Sequence, residues 1–378
     1  MTGRYDVIFR SAKPMLGYGT TEIRCVQPMQ FLRATGLSAD AGSIYENGLP
    51  PCRVLVLHRV PLDAVTQRAI HLARAYGAAI VYDTDDFIST SDGRDWDPGI
   101  AAAMRAVDLV SVSGPALAER VAKLSLETVT MRAKLSDMLL ETARRAASTE
   151  RPSDKVVLGY FSGSAHHDAD FDLVAPQLAQ VLKEFPETHL ALGGKLSVGS
   201  ELAEFGARVS FAPFRPYAEF VALLGGIDIN LAPLDLTSSL AQCRSDLKFI
   251  EAAAFGVPTV ASPSPAYCAS LEDGVSGFIA QDDEWYAKLA HLVGEPTLRV
   301  SMGAAARDYV MREASPEAGQ AEWRALFDRM CPPPAETRLL AALPAQLGLR
   351  IAQARRGGRR QLKGMLQDLP FPRARARH

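Results

Sequence analysis

Apolar runs of strand length alternate with stretches of helical period along most of the chain. In the first part, 5–9, 53–58, 78–82, 107–112 and 127–131 read as strands, being short apolar blocks bounded by polar or glycine residues. Between them, 22–34, 62–75, 99–106, 114–124 and 135–147 read as helices. The first of these carries Ile23, Val26, Met29 and Leu32 at a period near that of an α-helix. Strands that alternate with helices predict a parallel sheet covered on both faces. The polar stretch ASTERPSD at 147–154 interrupts the pattern, which then starts afresh. Strands are expected at 156–161, 188–192, 209–212, 228–232 and 258–261, and helices at 171–185, 217–224, 245–255, 283–293 and 297–312. The prediction is an α/β chain of two facing, Rossmann-like doubly wound domains, 1–150 and 151–312. A helix over 313–332 is expected to pack back on the first domain, and a tail follows over 333–378. Ligands of such sheets sit beyond the carboxyl ends of the strands, here in the cleft between the domains.

Composition sharpens this picture at two points. The 378 residues are 48% hydrophobic and 22% charged, ordinary values for globular domains and too long a chain for one core. The net charge of −2 hides an asymmetry: over 333–378, nine arginines and Lys363 stand against Glu336 and Asp368, which makes the tail +8 and the remainder −10. Such a tail either meets an anionic surface, the inner face of a membrane being the natural one, or is simply solvated. Its single aromatic residue, Phe371, argues against nucleic acid as the partner. Five cysteines with no CxxC spacing fit reduced thiols rather than disulfides or a zinc site. Without a leader-like start or an apolar run of about 20 residues, a cytoplasmic body is expected, at most peripheral to the membrane.

The most informative segment is SDLKFIEAAAFGVPTVAS at 245–262, followed by EDGVSGFI at 272–279 and by Trp285, Leu289 and Arg307. It resembles the C-terminal domain of glycosyltransferase family 4, the glycosyl transferases group 1 domain. The resemblance is specific over 245–312, looser over 156–244 and weak before that. It implies the GT-B fold and a nucleotide-sugar donor held in the second domain. Physically, Ser245 or Asp246 is expected to cap a helix whose first N–H groups, with that of Leu247, are a site for an anion such as a diphosphate. Arg244 and Lys248 add positive charge there. Glu251 falls on the same side as Lys248, and in the resembled family the matching glutamate accepts hydrogen bonds from the ribose hydroxyls. The family often carries a second glutamate eight residues earlier, at the donor sugar. Cys243 stands in that place, and a thiol cannot do a carboxylate's work.

Several loops at expected strand ends complete the site. GYFSGS at 159–164 ends a strand in small residues, so the backbone of Gly163 and Ser164 is expected near phosphate, with His166 and His167 where the family places a basic residue. Phe214 follows the strand expected beside the base. In the first domain, Gly17 and Gly19 lie between the first strand and the helix that carries Arg24, facing the donor phosphates in a GT-B fold. VLVLHR at 54–59 places His58 and Arg59 at a strand end, where they are expected to touch substrate. IVYDTDD at 80–86 places Asp83, Asp85 and Asp86 after the next strand. An Asp-x-Asp invites a divalent-metal reading, but Asp83, Asp85, Asp86 and Arg24 are assigned here to the acceptor side or to structure, with no metal.

The expected activity is transfer of a sugar from a nucleotide-diphosphate sugar to a saccharide or lipid-linked acceptor in cell-surface polysaccharide biosynthesis. The resemblance implies retention at the anomeric carbon, with the donor as co-substrate and neither metal nor cofactor. A nucleotide-sugar epimerase on the same fold, or a glycan-binding module without activity, are the alternatives.

Overall fold

The computed structural model describes residues 4–15, 19–148, 155–162, 168–194, 196 and 199–331. The chain divides into two compact units, Met1–Phe327 and Asp328–His378. Residues 333–378, with the basic tail, lie outside the described residues.

The first unit holds two six-stranded sheets, and every pairing in both is parallel. The first sheet contains β1 (Tyr5–Ser11), β2 (Ala39–Ser43), β3 (Cys52–His58), β4 (Ala79–Thr84), β5 (Leu109–Val112) and β6 (Thr128–Thr130), in the order β2-β1-β3-β4-β5-β6. The second contains β7 (Val156–Ser162), β8 (Thr188–Gly194), β9 (Val209–Pro213), β10 (Ile229–Ala232), β11 (Thr259–Ala261) and β12 (Gly277–Ile279), in the order β12-β11-β10-β7-β8-β9. The strands with the most continuous apolar runs, such as VLVL in β3, lie in the sheet interior, where both faces are buried.

Two strands escape the apolar pattern. β2 is ADAGS, poor in β-branched residues, and is held as an edge partner of β1 from Val7↔Ala39 to Ser11↔Ser43. β12 has three residues, too few for a period to show. The helix expected at 171–185 is two pieces, Asp168–Asp172 and Ala175–Glu184, with Pro176 in the first turn of the second.

Two helices cross between the sheets' territories. Asp137–Ala147, whose sequence belongs with the first half, puts Leu139 and Ala143 into one buried cluster with Val221, Phe249 and Ala253 of the second. Along Pro316–Met330, Trp323 meets Phe9 of β1 edge-on, ring centroids 5.3 Å apart, and Gly319 lies so close to Phe31 that a Cβ would come within 2.6 Å of its ring.

Candidate active site

In the first sheet the carboxyl ends of the strands are in register. Ser11 pairs with His58, His58 with Asp83 and Asp83 with Ser111, so four polar residues form a row across β1, β3, β4 and β5. The helix behind that row begins at Gly19–Thr21, widens into one π-turn at Glu22–Val26 and continues as Gln27–Ala34. The wider turn brings Arg24 and Cys25 inward together, and both are buried. Arg24 grips Asp83 with two bonds, Nε to Oδ2 at 2.9 Å and Nη2 to Oδ1 at 2.5 Å, and donates to the Met131 carbonyl. The Ser111 hydroxyl also donates to Asp83. A buried carboxylate is tolerable only when it is compensated this fully.

His58 is buried with both ring nitrogens engaged: Nδ1 shares a hydrogen bond with Ser11 Oγ at 3.2 Å, and Nε2 with Asp85 Oδ1 at 3.1 Å. Arg59, the next residue, has φ of 50°, a left-handed conformation that a side chain with a Cβ adopts at a cost. That turn sends its guanidinium back over the row, Nε 2.6 Å from Asp85 Oδ1 and Nη2 3.4 Å from Asp86 Oδ2. Burial opposes the charge on Asp85, but Arg59, His58 and Arg24 outweigh it and hold the carboxyl well below the usual carboxylate range. Asp83 is thus held by Arg24, whereas Asp85 and Asp86 share Arg59. Among the described residues no cluster of three or more His, Cys, Asp or Glu is arranged to hold a metal ion.

In the second half the helix Leu247–Ala254 follows a turn that leaves Asp246 at its N-cap. The Asp246 side chain does not cap; it pairs with Arg132, just beyond β6 of the first sheet, and Arg132 also reaches the Tyr309 hydroxyl at 3.4 Å. This corrects the expectation that Ser245 or Asp246 caps the helix through its side chain. Lys248 curls back toward β7: its ammonium donates to the Phe161 carbonyl and lies 4.6 Å from the centre of the Tyr160 ring. Desolvation pulls the lysine down to about 8, with Glu251 and Asp170 opposing and Arg244 adding to the fall. Glu251, one turn on, is only 3% exposed, and burial pushes it up to about 7 against the pull of Tyr217 and Lys248.

Tyr217 begins the helix Tyr217–Leu223 and donates its hydroxyl to Glu251 Oε1 at 2.7 Å. Its ring approaches Gly19 of the first half, where a Cβ would lie 3.7 Å from it. Gln27, 1% exposed, lies beside the same hydroxyl, and among the described residues its amide has no other hydrogen-bond partner. The tyrosine that holds the glutamate is thus contacted from both halves.

The structure brings Ser245, Asp246, Leu247, Lys248 and Glu251 together at one helix start, with Arg244 beside them. It gathers His58, Arg59, Asp85 and Asp86 at the facing strand ends, with Arg24 and Asp83 beneath. Gly19 sits at the Tyr217 contact, and Phe214 is 46% exposed beyond β9. Gly17, Gly163, Ser164, His166 and His167 lie outside the described residues. Cys243 is buried against the first half, where its thiol bonds to Arg120 and burial raises it. Tyr217 and Arg132 belong to no motif that the sequence shows. Each stands just beyond a strand's carboxyl end, in the loop position that marks a cleft residue, yet their partners are 34 and 114 residues away.

Residues 155–295 match the family model described as glycosyl transferases group 1. No curated protein matches the chain by sequence. Among solved structures, the chain is similar to Anabaena Alr3699/HepE in complex with UDP and glucose, at 13% identity and TM-score 0.61, with 86% of this chain and 100% of that one covered. It is similar to sucrose-phosphate synthase from Thermosynechococcus elongatus at 14% identity and TM-score 0.63, covering 86% and 98%. A glycosyltransferase from Rickettsia africae matches at 10% identity and TM-score 0.63, covering 87% and 100%. The two parallel six-stranded sheets and these likenesses identify the fold as GT-B, with the glycosyl transferases group 1 model matching residues 155–295.

Proposed function

We propose that the protein transfers a sugar from a nucleoside-diphosphate sugar to a saccharide or lipid-linked acceptor. The observation that carries this reading is the helix start at Leu247–Ala254: an open N-terminus, Lys248 and a nearly fully buried Glu251 within two turns, inside the matched segment. The diphosphate lies against the helix N-terminus, Lys248 and Arg244. As the bond from the anomeric carbon to the diphosphate breaks, negative charge grows on the leaving group, and fixed N–H dipoles and cations there stabilise it more than the ground state. Glu251 accepts from the ribose hydroxyls, which take over or share the role of the Tyr217 hydroxyl. The facing strand ends present Arg59, Asp85 and Asp86 to the acceptor, with the Arg24–Asp83 pair and His58 holding them in position.

The reaction runs without a metal in this reading, because Asp83, Asp85 and Asp86 are already engaged by Arg24, His58 and Arg59. Retention at the anomeric carbon follows from the family resemblance. The charge of 333–378 supports a lipid-linked acceptor at the anionic inner face of a membrane, as in cell-surface polysaccharide assembly.

The test is turnover. Purified protein is incubated with UDP-, GDP-, ADP- and dTDP-sugars and an acceptor mixture, with and without EDTA, and released nucleoside diphosphate is measured. One donor class should turn over in EDTA, and Lys248→Ala should lower the rate by about 100-fold or more. Binding without turnover in every mixture would favour a glycan-binding module. Interconversion of the donor sugar without transfer would favour an epimerase.

A further inference from the structure

A pocket of about 470 Å3 opens between 92–94 and Arg120 of the first half and 237–240 of the second. That size falls within the range of ligand pockets, about 300–1,000 Å3. Its rim is fastened across the halves by Ser239, whose hydroxyl donates to the Gly93 carbonyl at 2.7 Å. Gly93 turns there with φ of 70°, which a glycine adopts without strain.

The chemistry of the pocket is set by Arg120. Its guanidinium lies 4.1 Å from the centre of the Phe87 ring, and Phe87 is wedged edge-on against Trp96 at 4.8 Å. The Trp96 indole in turn donates to the Arg120 carbonyl at 3.4 Å. The remaining contact is the Cys243 thiol, and among the described residues Arg120 forms no ion pair. A guanidinium placed over a ring centre is not consumed by that contact, and its N–H groups not taken by the thiol can donate to a carboxylate or phosphate. Arg94 adds a second, largely exposed cation 4.0 Å from Asp92. The Asp92 carboxylate accepts from the Thr90 hydroxyl at 2.6 Å and the Arg94 N–H at 3.2 Å and stays ionised, so the two arginines of the lining outnumber its one carboxylate. Thr237, Ser238 and Ser239 line the opposite wall with hydroxyls. Through Cys243 the pocket adjoins Arg244 and the helix start that carries Lys248.

We propose that this pocket is an acceptor subsite that takes an anionic sugar, one bearing a carboxylate or a phosphate, with Arg120 as the specificity-determining residue. The inference rests on the transferase reading above. An acidic group held here would orient the acceptor through Arg120, and a neutral sugar would leave the guanidinium without an anionic partner.

The test is ligand-observed NMR on the full chain, in the presence of the nucleoside diphosphate that stabilises it. The compounds are methyl glucoside, methyl glucuronide and methyl glucoside 6-phosphate. At least one acidic compound should bind about tenfold or more tightly than the neutral one, and whichever acid does so names the anion. Arg120→Gln and Arg94→Gln together should abolish the preference, while Arg120→Lys, which keeps charge and ring contact but loses the guanidinium, should retain part of it. Equal binding of all three compounds by the wild type would overturn the proposal. So would a preference that survives the double variant with its diphosphate stabilisation intact. Normal diphosphate binding without acid preference removes only the subsite, whereas failure to bind any diphosphate removes the transferase reading itself.

Discussion

Glu251 should weaken the fold it sits in, and replacing it with the neutral isostere should reveal this. Burial raises its carboxyl from the ordinary 4.5 up to about 7. Below pH 4.5 the side chain is protonated in both folded and unfolded chains and carries no penalty. Between those values the folded protein binds the extra proton, so stability falls as pH rises, and above pH 7 the whole penalty, about 3 kcal/mol, is present. Glu251→Gln keeps the shape and an oxygen to accept from Tyr217, and it removes the buried charge. The variant should therefore be more stable than wild type at pH 8, by up to about 3 kcal/mol. That corresponds to roughly 4 °C for a unit of this size, at about 2.1 cal/mol/K of unfolding entropy per residue. Loss of the Glu251 charge also removes its attraction for Lys248, which trims the gain, so the pH dependence is the diagnostic quantity. Urea unfolding of both proteins at pH 5, 6, 7 and 8 measures it: the margin should shrink toward zero at pH 5. A variant no more stable than wild type at pH 8, or a margin constant across pH, would refute the argument. Such a residue weakens the apo fold and is retained for what it binds.

Other consequences are simpler to check. Asp83→Asn leaves Arg24 buried without its counter-ion and should cost about 3–5 kcal/mol in urea unfolding. Gly303→Ala places a Cβ 1.9 Å from the Gly256 carbonyl oxygen, backbone against backbone, so the helix Pro296–Glu313 must move off the end of Leu247–Ala254. A loss of about 1–3 kcal/mol is expected, read by thermal unfolding. Trp323→Ala removes the ring packed on Phe9 and should cost about 3–5 kcal/mol. For Lys248, pulled down to about 8, diphosphate binding should take up a proton near pH 8–9. Calorimetry in buffers of different ionisation enthalpy should detect that uptake in wild type and lose it in Lys248→Ala.

Much of this architecture is legible in the sequence because the interior strands, such as β3, β4 and β7, are buried on both faces and so read as apolar runs. The helix start at Ser245 to Glu251 is legible for a related reason: its parts are contiguous, and local spacing alone puts Lys248 and Glu251 on one side. What is not legible depends on register and on distant partners. The row Ser11, His58, Asp83 and Ser111 exists because four strands end in step, and no local pattern encodes that. Arg24 reaches Asp83 from a π-turn, and the sequence gives no sign of that turn. Asp246 was read as a cap, but Arg132 takes its carboxylate from 114 residues away. Tyr217 reaches Glu251 from 34 residues away, a pairing that no local spacing encodes.

The account stands or falls on whether the Leu247–Ala254 helix start binds a nucleoside diphosphate through Glu251. The direct measurement is a thermal-shift panel of UDP, GDP, ADP, CMP and dTDP, with and without EDTA, on wild type and Glu251→Ala. One diphosphate should raise the wild-type midpoint by degrees, in EDTA as well as without it, and Glu251→Ala should lose that rise. Stabilisation by none of them, or stabilisation that needs a metal ion and survives Glu251→Ala, would contradict the account and turn attention to Asp83, Asp85 and Asp86.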